Sequence, residues 1–211
     1  MTISALARTY IFSPRQSPDF AWNWLGKLLF MSGLTFSSTF TAFFLAARMG
    51  VSVKEVAGLV AGIAGGSILA AVAGAIGGGF LSDKLRRRRM FVLVGACVFA
   101  TGGVVMALSP SIPLIIVGAV LSNLGIGVFS AVDQALMLDV LPDREADAGR
   151  YTGIYGFANT VAQGIAPLIA PIFLAIGATG GEKNYALLYF IAAAFTVAGG
   201  LVVLLRVKSV R

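Results

Sequence analysis

The 211-residue sequence contains no histidine, and only 12% of its residues are charged. Without imidazole there can be no Ser–His or Cys–His dyad, no histidine metal centre and no imidazole proton relay. A soluble domain of this size carries roughly 25% charged residues. This chain has too few charges to build a polar surface, so lipid must serve as its outer solvent. The single cysteine, Cys97, excludes an internal disulfide, and its apolar setting predicts a small buried residue. P-loops, glycine-rich phosphate motifs and metal-ligand clusters are missing as well. No cofactor or metal is therefore expected, and no enzyme. The first 20 residues hold no apolar run ahead of a cleavage site, so no signal peptide is evident.

What is present is apolar. Hydrophobic residues make up 58% of the chain, and there are 26 glycines, which let membrane helices approach closely. The composition predicts an all-α membrane protein. Six segments are long enough to cross a bilayer core, which needs about 20 apolar residues. They fall at about 21–47, 55–81, 90–108, 113–140, 151–176 and 185–206, with residues 1–20 and 207–211 as flanking segments. Gly50 to Lys54, the charged run Ser82 to Arg89, the Pro110 and Pro113 hairpin, Pro142 to Arg150, and Thr179 to Asn184 separate them. Connections this short predict antiparallel neighbours.

Six spans place both termini and the second and fourth loops on one side. Thirteen basic residues fall there: Arg8, Arg15, Lys27, Lys84, Arg86, Arg87, Arg88, Arg89, Arg144, Arg150, Arg206, Lys208 and Arg211. Arg48, Lys54 and Lys183 fall on the other. The positive-inside rule then predicts cytoplasmic termini in a cell (inner or plasma) membrane. The net charge of +7 thus reads as a topology signal, with lipid headgroups as its contact and no nucleic-acid partner.

The strongest motif follows the second span: Gly79-Phe80-Leu81-Ser82-Asp83-Lys84-Leu85-Arg86-Arg87-Arg88-Arg89. It resembles the signature loop of major facilitator superfamily transporters, which joins the second and third helices of each six-helix half. The resemblance marks Gly79, Asp83, Lys84, Arg87 and Arg88 as a gating loop. This sequence departs from the family pattern at Arg86, where glycine is usual. A second stretch, Asp133 to Asp143 with Gly149-Arg150 and Ala158-Asn159-Thr160, is similar to the tenth-to-eleventh helix region of sugar–cation symporters. These include the glycoside–pentoside–hexuronide and sucrose-transporter-like branches. Pro18-Asp19-Phe20 with Trp22 and Lys27 resembles the entry to their seventh helix. The resemblance implies one six-helix half-bundle, the carboxyl-terminal one.

Gly58, Gly62, Gly66, Ala70, Gly74 and Gly78 recur every fourth residue along the second span, a ridge for close helix packing, static or sliding. Acids inside a membrane span are costly and mark candidate sites. Asp133 is one, placed toward the cytoplasmic end; a gate, an ion-coupling site and interfacial solvation are its three readings. Asp139 and Arg150 join it as gate or coupling candidates. Asn123, Asn159 and Gln163 are candidates to line a substrate cavity, the last two one turn apart on one helix. Thr35, Ser38, Thr39 and Thr41 either line it too or bond to their own backbone. Pro167 and Pro171 should kink the fifth helix. Trp22 and Trp24 read as interfacial anchors.

The function implied is transport of a small solute, a sugar among the candidates, by alternating access. One half has no second wall, so the partner would be another six-helix half, on a separate chain or in a homodimer. The alternative is a non-transporting remnant or membrane scaffold.

Overall fold

A computed structural model of the chain describes residues 14–15, 17–142, 148–178 and 183–209. Arg8, Arg144 and Arg211, and the middles of the fourth and fifth loops, lie outside them. Among the described residues six helices follow one another: α1 Pro18–Met49, α2 Val53–Leu85, α3 Arg88–Leu108, α4 Ile112–Asp139, α5 Ala148–Ala175 and α6 Tyr185–Arg206. Each is long and apolar enough to cross a membrane.

The helix ends follow local chemistry. Pro18 opens α1, where its missing N–H costs nothing. Gly50 closes α1 with left-handed backbone (φ 65°), and the amide of Val51 reaches back to the Ala46 carbonyl. Asn184 caps α6 by accepting from the Leu187 amide. The charged run after the second span breaks the helix for only two residues. Helix α2 continues through Ser82 to Leu85 and α3 begins at Arg88, because a tight cap closes one helix just before the next starts. Arg86 adopts left-handed backbone (φ 51°) and donates to the Asp83 carbonyl, while the Arg87 amide reaches the Ser82 carbonyl. That is the same closing turn as at Gly50, with arginine where glycine costs least.

Helix α4 packs between α2 and α3, and α6 between α1 and α3; α5 lies mainly along α1. Exchanging the first three helices with the last three maps this scheme of close pairs onto itself. Glycine makes the tight pairs possible. A Cβ on Gly127 would strike the backbone of Ala71 and Ala75, and one on Gly125 or Gly95 the facing α3–α4 backbone. The ridge along α2 is divided. Gly74 and Gly78 press against α4, whereas Gly58, Gly62 and Gly66 face open space. Helices α2 and α5 bury least of the six, leaving Ile68, Leu69, Ile76, Phe157, Leu168 and Ile172 exposed. Cys97 also faces outward, contrary to the buried position expected of it, in an apolar groove between α3 and α6.

Tertiary bonds gather one end of the bundle. Asp19 accepts from the amides of Lys208 and Ser209, joining the start of α1 to the end of α6. Arg89 donates to the Val207 carbonyl, joining α3 to α6. Arg88 joins α3 to the ends of α2 and α4. This is termed the terminal end.

Candidate functional site

Three polar layers and one aromatic layer lie along the bundle. The outermost, at the terminal end, is the loop motif. Arg88 pairs with Asp83 (2.8 Å) and with Asp139, and donates to the Ala135 carbonyl (3.0 Å). Asp83 is 60% exposed, so this clasp sits in the polar surface layer. Of the other motif residues, Lys84 lies over the Phe80 ring, Arg87 contacts the Met90 sulfur, and Gly79 has only ordinary contact with Ala131.

Deeper, Asp133 lies on α4 six residues before its end, about 9 Å along the axis. It is buried and faces Lys27 of α1, with Nζ 3.4 Å from Oδ2 and both side chains under 4% exposed. The Tyr155 hydroxyl of α5 donates to the other Asp133 oxygen, and Asn23 Nδ2 donates to Tyr155 at 3.0 Å. The Lys27 ammonium sits 4.0 Å above the Tyr155 ring. Thus one charge pair and two polar groups join α1, α4 and α5 at this depth. The buried charges are compensated, as burial demands. Trp24 donates to the Ile154 carbonyl (2.9 Å), which ties α1 to α5; Trp22 lies under Arg206.

One turn further in, Phe30 of α1 stacks on Phe129 of α4, with centroids 3.5 Å apart and planes 2° from parallel. Phe99 of α3 leans on Phe30 at 5.5 Å. All three rings are buried and fill the space between the charge pair and the next layer.

That layer is a cavity of about 280 Å³ running from mid-span toward the other end. Ser37, Ser38 and Thr41 of α1, Ser122 and Asn123 of α4 and Tyr189 of α6 supply its polar groups; Phe99, Met106, Ile63 and Ile126 supply apolar walls. Among the described residues no charged side chain lines it. The Thr41 and Tyr189 hydroxyls bond to each other (3.2 Å), and Thr41 also donates to the Ser37 carbonyl. Asn123 Nδ2 donates to the Ala119 carbonyl, leaving its amide oxygen for a ligand. Thr35 bonds back to its own helix, and Thr39 is exposed.

The structure therefore brings Asn123 to a cavity and Asp133 to a buried pair, and it places Asp139 in the clasp with Asp83 and Arg88. Arg150 lies over the Tyr151 ring at the start of α5, apart from the buried pair. Asn159 and Gln163 do not join Asn123. The Asn159 amide oxygen is buried without a partner, and Gln163 is on the outer surface of α5. Sequence reasoning missed Lys27, Tyr155, Asn23 and Tyr189. For Lys27 the signal existed, because a lysine inside a predicted span needs a partner as much as an aspartate does.

The chain is similar to an uncharacterised MFS-type transporter of Mycobacterium tuberculosis (strain ATCC 25618 / H37Rv), 32% identical over 126 residues, or 59% of this chain and 17% of that protein. It is 32% identical over 74 residues to the galactose-proton symporter of Escherichia coli (strain K12), covering 35% of this chain and 16% of the symporter. Inositol transporter 4 of Arabidopsis thaliana is 33% identical over 78 residues, 37% of this chain and 13% of the transporter. In each case the match spans less than a fifth of the relative's length. The family model for the Major Facilitator Superfamily matches residues 13–211, and the chain is a multi-pass membrane protein belonging to that superfamily.

Proposed function

We propose that this chain forms one wall of a secondary transporter for a small neutral polyol or sugar, completed by a second six-helix half. The observation that carries the reading is the uncharged cavity. Hydroxyls and one amide, set among aromatic and aliphatic side chains, supply donors and acceptors without a fixed charge, which suits a neutral hydroxylated solute. The named sugar and inositol transporters among its relatives support the same class. The unfilled faces of α2 and α5 fit a missing second wall, since substrates of this architecture lie between repeats near the midplane. In this reading the Phe30–Phe129 stack and the Lys27–Asp133 pair are the gate on the terminal side. The Asp83–Arg88–Asp139 clasp holds the loop that moves with it. The excess of surface lysine and arginine at the terminal end supports a cytoplasmic position for that end in a cell membrane.

The test is uptake of radiolabelled galactose and inositol into sealed vesicles, with the chain alone and co-reconstituted with a second six-helix bundle. Uptake only with the second bundle, reduced at least tenfold by Asn123→Leu, is the expected result. Absence of uptake and of sugar binding in both preparations would leave the scaffold alternative standing.

A further inference from the structure

The transport reading leaves one basic feature unused. An open groove of about 1030 Å³ lies at the terminal end where the α2–α3 turn meets the ends of α4 and α6. Arg86, Arg87, Arg88 and Arg89 line it with Asp83 and Asp139. Four guanidinium groups line the groove against two carboxylates, so positive charge is in excess there. Arg88 pairs with both carboxylates, and among the described residues no salt bridge joins an acid to Arg86 or Arg87, while Arg89 has the charge of Asp19 within electrostatic reach. Arg89 spends one nitrogen on the Val207 carbonyl, and its Nε is buried without an acceptor.

The groove is apolar as well as basic. Leu85, Met90 and Leu204 line it, and Leu81, Val94 and Leu205 continue outward as exposed side chains along the membrane-facing surface. A guanidinium cluster at the headgroup level, running into an exposed aliphatic strip, has the two-part chemistry of a phospholipid. A free phosphate would use only the upper part.

We propose that this groove is a binding site for an anionic phospholipid, with the phosphate held by Arg86, Arg87 and Arg89 and an acyl chain lying along Leu85, Met90 and Leu205. The site is independent of the solute and of any second half. Arg88 does not take part, because its guanidinium is committed to the two aspartates.

Native mass spectrometry of the full chain, released from micelles doped with phosphatidylglycerol or phosphatidylcholine, measures retained lipid. Retention of phosphatidylglycerol in preference to phosphatidylcholine is expected. Arg86→Gln with Arg87→Gln should weaken it about thirtyfold, at about one kcal/mol for each basic side chain at a headgroup. Arg86→Lys with Arg87→Lys should recover most of it, and circular dichroism of each variant reports that the helices persist. Arg15→Gln with Lys208→Gln removes the same charge at the same end but outside the groove, and should cost less than threefold. Equal losses from the two double variants would mean diffuse attraction and overturn the site. Displacement of the lipid by millimolar glycerol phosphate, with no dependence on acyl chains, would reassign the groove to a free anion and overturn the lipid assignment.

Discussion

Arg86 shows how one side chain can sit at odds with the backbone it occupies. Its positive φ is the conformation glycine adopts at little cost, and Gly50 fills the equivalent place at the end of α1. Arg86→Gly should therefore raise stability by about 0.5–1 kcal/mol, read as a shift in the unfolding midpoint in detergent. An unchanged or lowered midpoint would show that Arg86 contributes contacts exceeding its backbone cost. The same residue is proposed to hold lipid, so the gain should shrink when phosphatidylglycerol is present. Lys27 and Asp133 make a different case. Removing one partner strands a buried charge, so Lys27→Met should destabilise by about 3 kcal/mol or more. Removing both, as Lys27→Met with Asp133→Leu, should recover much of that loss. Additive losses in this double-mutant cycle would mean that each side chain acts through separate packing. The presence of Asp133 in a span was legible in the sequence, because an acid among apolar residues stands out. Its partner was not, because Lys27 also fits a surface tally of basic residues and only the facing of α1 on α4 distinguishes the two roles.

At the scale of the helix, glycine position decides between packing and vacancy. Gly127 and Gly62 are both helical glycines, yet a Cβ on the first meets α2 backbone and on the second meets nothing. Gly127→Ala should force α2 from α4 and cost about 1–3 kcal/mol, by analogy with overpacked cores. Gly62→Ala should be neutral or stabilise the isolated chain by up to about 1 kcal/mol, from helix propensity alone. Thermal unfolding of the two variants side by side checks this; equal destabilisation would place α2 differently. The every-fourth-residue ridge was visible in the sequence as one surface. Its division into a packed and an open part was not, because periodicity identifies a face without identifying its neighbour. The same holds for Asn159 and Gln163. Their shared spacing predicted a common face, but α5 is bordered mainly by α1, and that leaves Gln163 outside. Helix existence was the most legible feature, since length and hydropathy alone separate the six spans. The two-residue break at Arg86 and Arg87 was less so, because charge marked eight residues as unsuited to lipid while the helical cap needed only two.

Across the whole molecule, the layers have an order that predicts access. From the terminal end inward come the clasp, the Lys27–Asp133 pair, the Phe30–Phe129 stack and then the cavity with Asn123. While the two rings remain stacked they fill the interior of the bundle between the charge pair and the cavity, since both are buried and in van der Waals contact. The cavity should therefore be wetted only from the opposite end. In a Cys97→Ala background, Asn123→Cys in sealed vesicles should react with an impermeant maleimide added on the side away from the termini. A second variant, Lys208→Cys, identifies which face of each vesicle carries the termini. Phe129→Ala, added to Asn123→Cys, removes the ring from α4 and should raise labelling from the terminal side at least tenfold. Equal labelling of Asn123→Cys from both sides before that change would show that the aromatic layer does not close the bundle. Labelling from neither side would show a dry cavity, and the proposal that it receives a hydrophilic solute would fall with it.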